Sequence, residues 1–226
     1  MGALASTRSI YYYYLKKGHI ISELGKKILF GSLYYSNTNY YKAVLSQYVN
    51  FNSYINTYNK SLNLGSVHTS VAIQPDILGA EARAVMGMHG KPDFVFTEKA
   101  LSVYVYKWKL NGLKTRCEVH FYKNRAFLVN YIYNQLEKRQ KDYISESLTG
   151  KYLSQYTREV DLLGTKISDM NNNVLFMDNY LMGLKVTYIS SCECDWYEAM
   201  ASYVNESKTK KEEQMRIGER RFFNRI

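Results

Sequence analysis

Cysteine is scarce in this chain. Cys117, Cys192 and Cys194 are three among 226 residues, which excludes a disulfide-stapled scaffold and fits a reducing compartment. Cys192 and Cys194, in SSCECDW, form half of a soft-metal site, and no nearby His or second Cys pair completes four ligands, so neither a metal nor another cofactor is expected. No run of about 18 uninterrupted apolar residues occurs, which excludes an apolar membrane-spanning helix. A basic leader, apolar stretch and small-residue cleavage site are also missing at the N-terminus. The expected location is therefore cytoplasmic or within a macromolecular assembly. Charged residues make up only 22% and apolar ones 46%, which argues against a disordered chain and for a folded one with a core.

Acids are the minority sign. Twenty Asp and Glu face thirty Lys and Arg, a formal +10 with a pI near 9.3, and a basic surface favours acidic proteins, nucleic acid or anionic membrane. Proline occurs twice and tyrosine 23 times. AT-rich coding produces such a bias by itself, so composition alone does not make a tyrosine-based binding surface. The opening MGALAS fits the myristoylation pattern, which has meaning only in a eukaryotic cell.

Residues 1–74 are read as a Tyr- and Asn-rich helical N-terminal region, with helices over 20–35 and 40–58. Gln74-Pro75-Asp76 marks a break, since the residue before proline avoids helix and Asp is a good N-cap. An α+β domain follows over 75–204, an antiparallel sheet with packed helices, in two similar helix-plus-sheet halves, 75–133 and 134–204. Its elements are a helix over 77–88 stopping at His89-Gly90-Lys91-Pro92, strands over 93–109, 113–122 and 126–133, a helix over 134–154 and a second β region over 158–190. A C-terminal helix begins at DWYEAMASYV, and 205–226 form a charged tail.

The strongest local signal is Asn111-Gly112 inside VYVYKWKLNGLKTRCEVHFY. A two-residue loop there pairs Leu110 with Leu113, sets Lys109 opposite Lys114 and sets Lys107 opposite Arg116. Like charges facing one another in a sheet are mildly destabilising, and an acidic partner would relieve them. Alternation puts Tyr104, Tyr106, Trp108, Thr115, Cys117, Val119 and Phe121 on a core face, which the third strand extends with Ala126, Leu128 and Ile132. The other face carries Lys107, Lys109, Lys114, Arg116, Glu118, His120 and Tyr122, joined by Phe127, Val129, Tyr131 and Tyr133. Cations at one end and aromatics at the other make this the expected partner-binding face: Lys107, Lys109, Lys114, Arg116, Tyr131 and Tyr133. A merely solvated face is the plainer reading, because antiparallel sheets commonly have one.

Residues 77–131, ILGAEARAVMGMHGKPDFVFTEKALSVYVYKWKLNGLKTRCEVHFYKNRAFLVNY, resemble the helix-then-sheet unit of the superfamily of SmpA-type assembly lipoproteins and β-lactamase inhibitor protein. The resemblance rests on a short helix ending in a G-x-P step (Gly90-Lys91-Pro92), an aromatic strand (YVYKW) and a strand ending in an aromatic step before a turn (VHFYKNR). It implies an open antiparallel sheet that binds proteins without catalysis. A lipid-accepting cysteine near the N-terminus is missing and 76 residues precede the unit, so the periplasmic location is not carried over.

Catalysis finds little support. His19, His68, His89 and His120 lie in unrelated contexts outside any nucleophile, metal or phosphate-loop motif, and Glu193 with Asp195 reads as a polar loop. The expectation is a non-catalytic interaction protein or assembly subunit of a bacterial or phage complex, oligomeric or in a larger assembly, whose basic-aromatic face meets an acidic protein. The rival is a single-stranded nucleic-acid binder using the same face.

Overall fold

A computed structural model describes residues 41, 45–49, 51–74, 76–110, 112–156, 160–180, 183–191 and 196–223. The chain divides into two compact units, Met1–Val44 and Leu45–Ile226, and the fold below is that of the second. The helix expected over 20–35, the MGALAS motif and the cysteines at 192 and 194 lie outside the described residues.

The second unit is α+β. In chain order it comprises α1 (Asn52–Leu62), β1 (Gly65–His68), α2 (Ala82–His89), β2 (Phe94–Glu98), β3 (Leu101–Leu110), β4 (Leu113–Tyr122) and β5 (Arg125–Tyr133). Then come α3 (Lys138–Tyr152), β6 (Thr165–Ser168), β7 (Val174–Tyr180), β8 (Gly183–Ile189) and α4 (Trp196–Phe223). All eight strands form one sheet in the order β1-β6-β7-β8-β5-β4-β3-β2. Among the described residues only the β1–β6 pair is parallel. A helix followed by the meander β2–β5 and a helix followed by the meander β6–β8 meet at the antiparallel β5–β8 pair.

That junction depends on Gly183, where a Cβ would sit 1.8 Å from the Tyr133 carbonyl oxygen. Local chemistry sets several other boundaries. At the start of α3 the Glu137 backbone N–H donates to Gln140 Oε1 at 2.9 Å within a capping box. Gly90, at φ 78°, ends α2 just before Lys91-Pro92. Gly112, at φ 81°, serves the β3–β4 turn. The segment expected as one strand over 93–109 is two strands, because Lys99-Ala100 turns the chain and Glu98 pairs with Leu101.

Helices cover both sheet faces. One core holds Val85 of α2 and Ile144 and Tyr152 of α3 against Tyr106, Cys117, Val119, Val129, Tyr131 and Tyr188. The second holds Tyr54 of α1 and Trp196, Met200 and Val204 of α4 against Phe127, Leu128, Phe176 and Ile189. The i, i+4, i+8 spacing of Trp196, Met200 and Val204 explains why the first turns of α4 lie on the sheet. The helix then continues as 28 residues, roughly 42 Å at 1.5 Å per residue, with the described side chains of 208–210 and 212–215 exposed. The charged tail expected over 205–226 is helical through Phe223. Likewise α1 and β1, placed by the sequence in a separate N-terminal region, are built into the sheet unit. None of the described helices is long and apolar enough to cross a membrane.

Candidate functional site

The β3–β4 hairpin has the register that Asn111-Gly112 implies: Leu110 pairs with Leu113, Lys109 with Lys114, Lys107 with Arg116 and Trp108 with Thr115. Lys107, Lys109 and Lys114 are exposed at the hairpin end. Among the described residues no acidic side chain forms an ion pair with any of the three. Asp93 lies close by, but its carboxylate accepts the backbone N–H of Lys107 at 2.7 Å.

The face expected beyond this end is corrected at β5. Tyr122 pairs with Arg125 and Phe121 with Ala126, but His120 pairs with Leu128. Phe127 is thus an extra, bulged residue, and a single insertion moves every later side chain to the opposite face. Tyr131 consequently pairs with Cys117, and Tyr133 with Thr115. Both tyrosines lie on the side of Tyr106 and Trp108, away from Lys107, Lys109, Lys114 and Arg116. Tyr131 is 8% exposed and part of the core. Leu128 and Ile132, expected on the core face with Trp108, lie on the other one.

Nor is the far part of the cationic face open. Arg116 is 4% exposed, Glu118 1% and His120 0%: Tyr54 of α1 and Tyr48, just before that helix, lie against His120, and Tyr48 also interacts with Glu118 and Arg116. Arg116, Glu118 and His120 join a buried polar layer along β4, β5 and β8. Arg116 Nε lies 3.0 Å from Glu118 Oε1, and His120 Nε2 lies 3.6 Å from Glu118 Oε2. Asn130 Nδ2 donates to Glu118 Oε2 at 3.5 Å, and Thr187 Oγ1 donates to Asn130 Oδ1 at 3.0 Å. From α1 the Tyr54 hydroxyl bonds His120 Nδ1 at 2.8 Å. Further along the same face, Asp178 sits between Lys60 of α1 and Lys185 of β8.

Burial alone would push the Glu118 carboxyl up. Arg116, His120 and Asn130 outweigh it and hold the group at about 2. Burial lowers His120 below its ordinary 6.5, with Glu118 pulling it back up, so the ring is neutral at pH 7. Lys185 is lowered by burial, with Asp178 opposing. These are residue types that do acid–base chemistry elsewhere, but their surroundings suit a structural role, in which a layer of ion pairs and hydrogen bonds ties α1 to the sheet. Alternation along β4 put Glu118 and His120 on the correct face and passed over Asn130 and Thr187. Their signal was faint, since polar residues at alternate positions of β4 align with one each in β5 and β8 only when the bulge is known.

Among the described residues no cluster of three or more His, Cys, Asp or Glu is arranged to hold a metal ion. No family model, curated protein or solved structure matches the chain.

Proposed function

We propose that this chain is a non-catalytic interaction protein or assembly subunit that docks an acidic protein surface through the basic end of the β3–β4 hairpin. One observation carries the reading: Lys107, Lys109 and Lys114 crowd one exposed hairpin end with no acidic side chain paired to them among the described residues. The hairpin is a stiff support, ten paired positions long, so the charges are presented rather than free to disperse. Partner acids would remove the cross-strand repulsion that the free protein carries. The buried state of Glu118 and His120 favours a structural duty for them over catalysis. Arg116, expected as part of the contact, belongs to that buried layer, and the contact is confined to the three lysines.

Single-stranded nucleic acid is the less favoured partner. Sequence-tolerant strand binding stacks bases on aromatics beside the cations, and here Tyr131 and Tyr133 turn to the opposite face. Binding of poly-glutamate and of a single-stranded oligonucleotide, titrated against salt with the parent and the Lys109→Glu/Lys114→Glu variant, tests the reading. Preference for the acidic polypeptide, lost in the variant, is expected. Tighter oligonucleotide binding with a steep salt slope would overturn it.

A further inference from the structure

On the sheet face away from the lysines, between β5, β8 and α3, lies a cavity of about 180 Å³. Tyr131 and Tyr133 of β5 and Tyr188 of β8 form its sheet side, Ile144 and Leu148 of α3 lie across from them, and Gln74 supplies an amide. Leu110 and Val186 complete the lining. We propose that this cavity is a binding site for a small uncharged molecule with a flat apolar body and one hydroxyl, the phenol class.

Volume is the first argument. An apolar cavity of about 150 Å³ is enough to admit benzene, so this space takes a six-membered ring with one further polar group. Charge is the second. In a chain of formal charge +10 the lining contains no ionisable side chain other than tyrosine, so an anion or cation entering it would find no counter-charge on the walls. The phenols are pushed upward by burial, Tyr133 to about 12 and Tyr131 and Tyr188 also well upward, so they remain neutral hydroxyls.

Geometry is the third. Trp108, Tyr131 and Tyr188 follow one another at centroid separations of 5.9 and 5.5 Å, within the range in which aromatic rings attract one another by edge and offset contacts. Gln74 Nε2 reaches the Tyr131 hydroxyl at 3.4 Å, a long bond, and the same side chain also bonds Tyr188, so the amide is held between the two rings with its carbonyl oxygen as the acceptor for a guest hydroxyl. Gln74 is held at φ 46° immediately before Pro75, a left-handed backbone that a non-glycine residue adopts at a cost and that a following proline does not favour. Close behind, the buried Tyr152 hydroxyl has no hydrogen-bond partner among the described residues, and it interacts electrostatically with Tyr131 and Tyr188. Aliphatic and aromatic walls, neutral tyrosine hydroxyls and an amide held in place by a strained backbone together select a neutral ring bearing a hydroxyl.

Phenol, benzene and benzoate titrated into the full chain, followed by calorimetry and by NMR of the tyrosine rings, test the inference. Phenol is expected to bind in the millimolar range, roughly tenfold tighter than benzene, with benzoate weaker still. Val186→Phe fills the space and should weaken phenol by at least about tenfold. Leu148→Phe, on a half-buried helix position, does the same should the strand variant fail to fold. No phenol binding at about 10 mM, equal binding of phenol and benzoate, or an unchanged phenol affinity in a folded filling variant would each overturn the proposal.

Discussion

The two faces of the sheet use the same strands to opposite ends. Toward α2 and α3, β4, β5 and β8 present Cys117, Val119, Val129, Tyr131 and Tyr188, apolar bodies with neutral polar tips. Toward α1 and α4 the alternate positions of those strands present Arg116, Glu118, His120, Asn130 and Thr187. Burying charge is costly unless every member finds a partner. The face toward α1 therefore depends on specific pairing, while the face toward α3 depends on volume and shape. A defect on the first should act through lost partners and respond to pH. A defect on the second should act through packing and ignore pH.

The largest expected effect breaks the pairing outright. Glu118→Ala removes the carboxylate from Arg116, His120 and Asn130 together and should cost about 3–5 kcal/mol, read as a lower urea midpoint with an unchanged slope. A loss below about 1 kcal/mol would mean that the charged layer is not the stabilising element of that face.

Acid should separate the faces next. The folded values of Glu118 and His120 both lie below their ordinary 4.5 and 6.5, so the unfolded chain binds more protons and stability rises with pH. The His120 contribution is complete above pH 6.5 and fades below it; that of Glu118 is complete above 4.5 and is lost as pH falls toward about 2. Melting temperature should therefore decline from pH 7 to 5, and His120→Gln should flatten that interval. An equally steep decline in the variant would place the sensitivity elsewhere. On the other face Cys117 and the tyrosines are all pushed upward and add nothing to acid sensitivity.

A smaller contrast comes from single hydroxyls. Tyr54→Phe removes the bond to His120 Nδ1 and should cost about 1 kcal/mol, whereas Tyr133→Phe, on the half-buried edge of the other face, should stay within about 0.5 kcal/mol. Equal costs in chemical denaturation would erase the distinction. The smallest effect is at the hairpin end. Lys109→Glu alone replaces a repulsive cross-strand pair with Lys114 by an attractive one and should stabilise by a few tenths of a kcal/mol, less in high salt. Destabilisation would show that the Lys109–Lys114 pair is not under repulsion.

Much of the fold was legible because its signals are local. The Asn-Gly turn fixed ten cross-strand pairs at once, the Gly90-Lys91-Pro92 step ended α2, and the alternation in β4 put Arg116, Glu118 and His120 on one side and Cys117 and Val119 on the other. Two long-range facts were not legible. Phe127 as an extra residue in β5 has no mark of its own in RAFLVNY, yet with a period of two it exchanges the faces of Tyr131, Tyr133, Leu128 and Ile132. The sequence by itself determined the strands of the hairpin, its register and the common side of Lys107, Lys109 and Lys114, since these follow from turn chemistry and alternation within about twenty residues. Only the tertiary structure decided that Arg116, Glu118 and His120 are buried and that the tyrosines of β5 line a cavity on the far side. Which helices cover a sheet face depends on contacts between Tyr54 and His120, 66 residues apart, and between Trp196 and Phe127, and no local pattern encodes a contact at that separation.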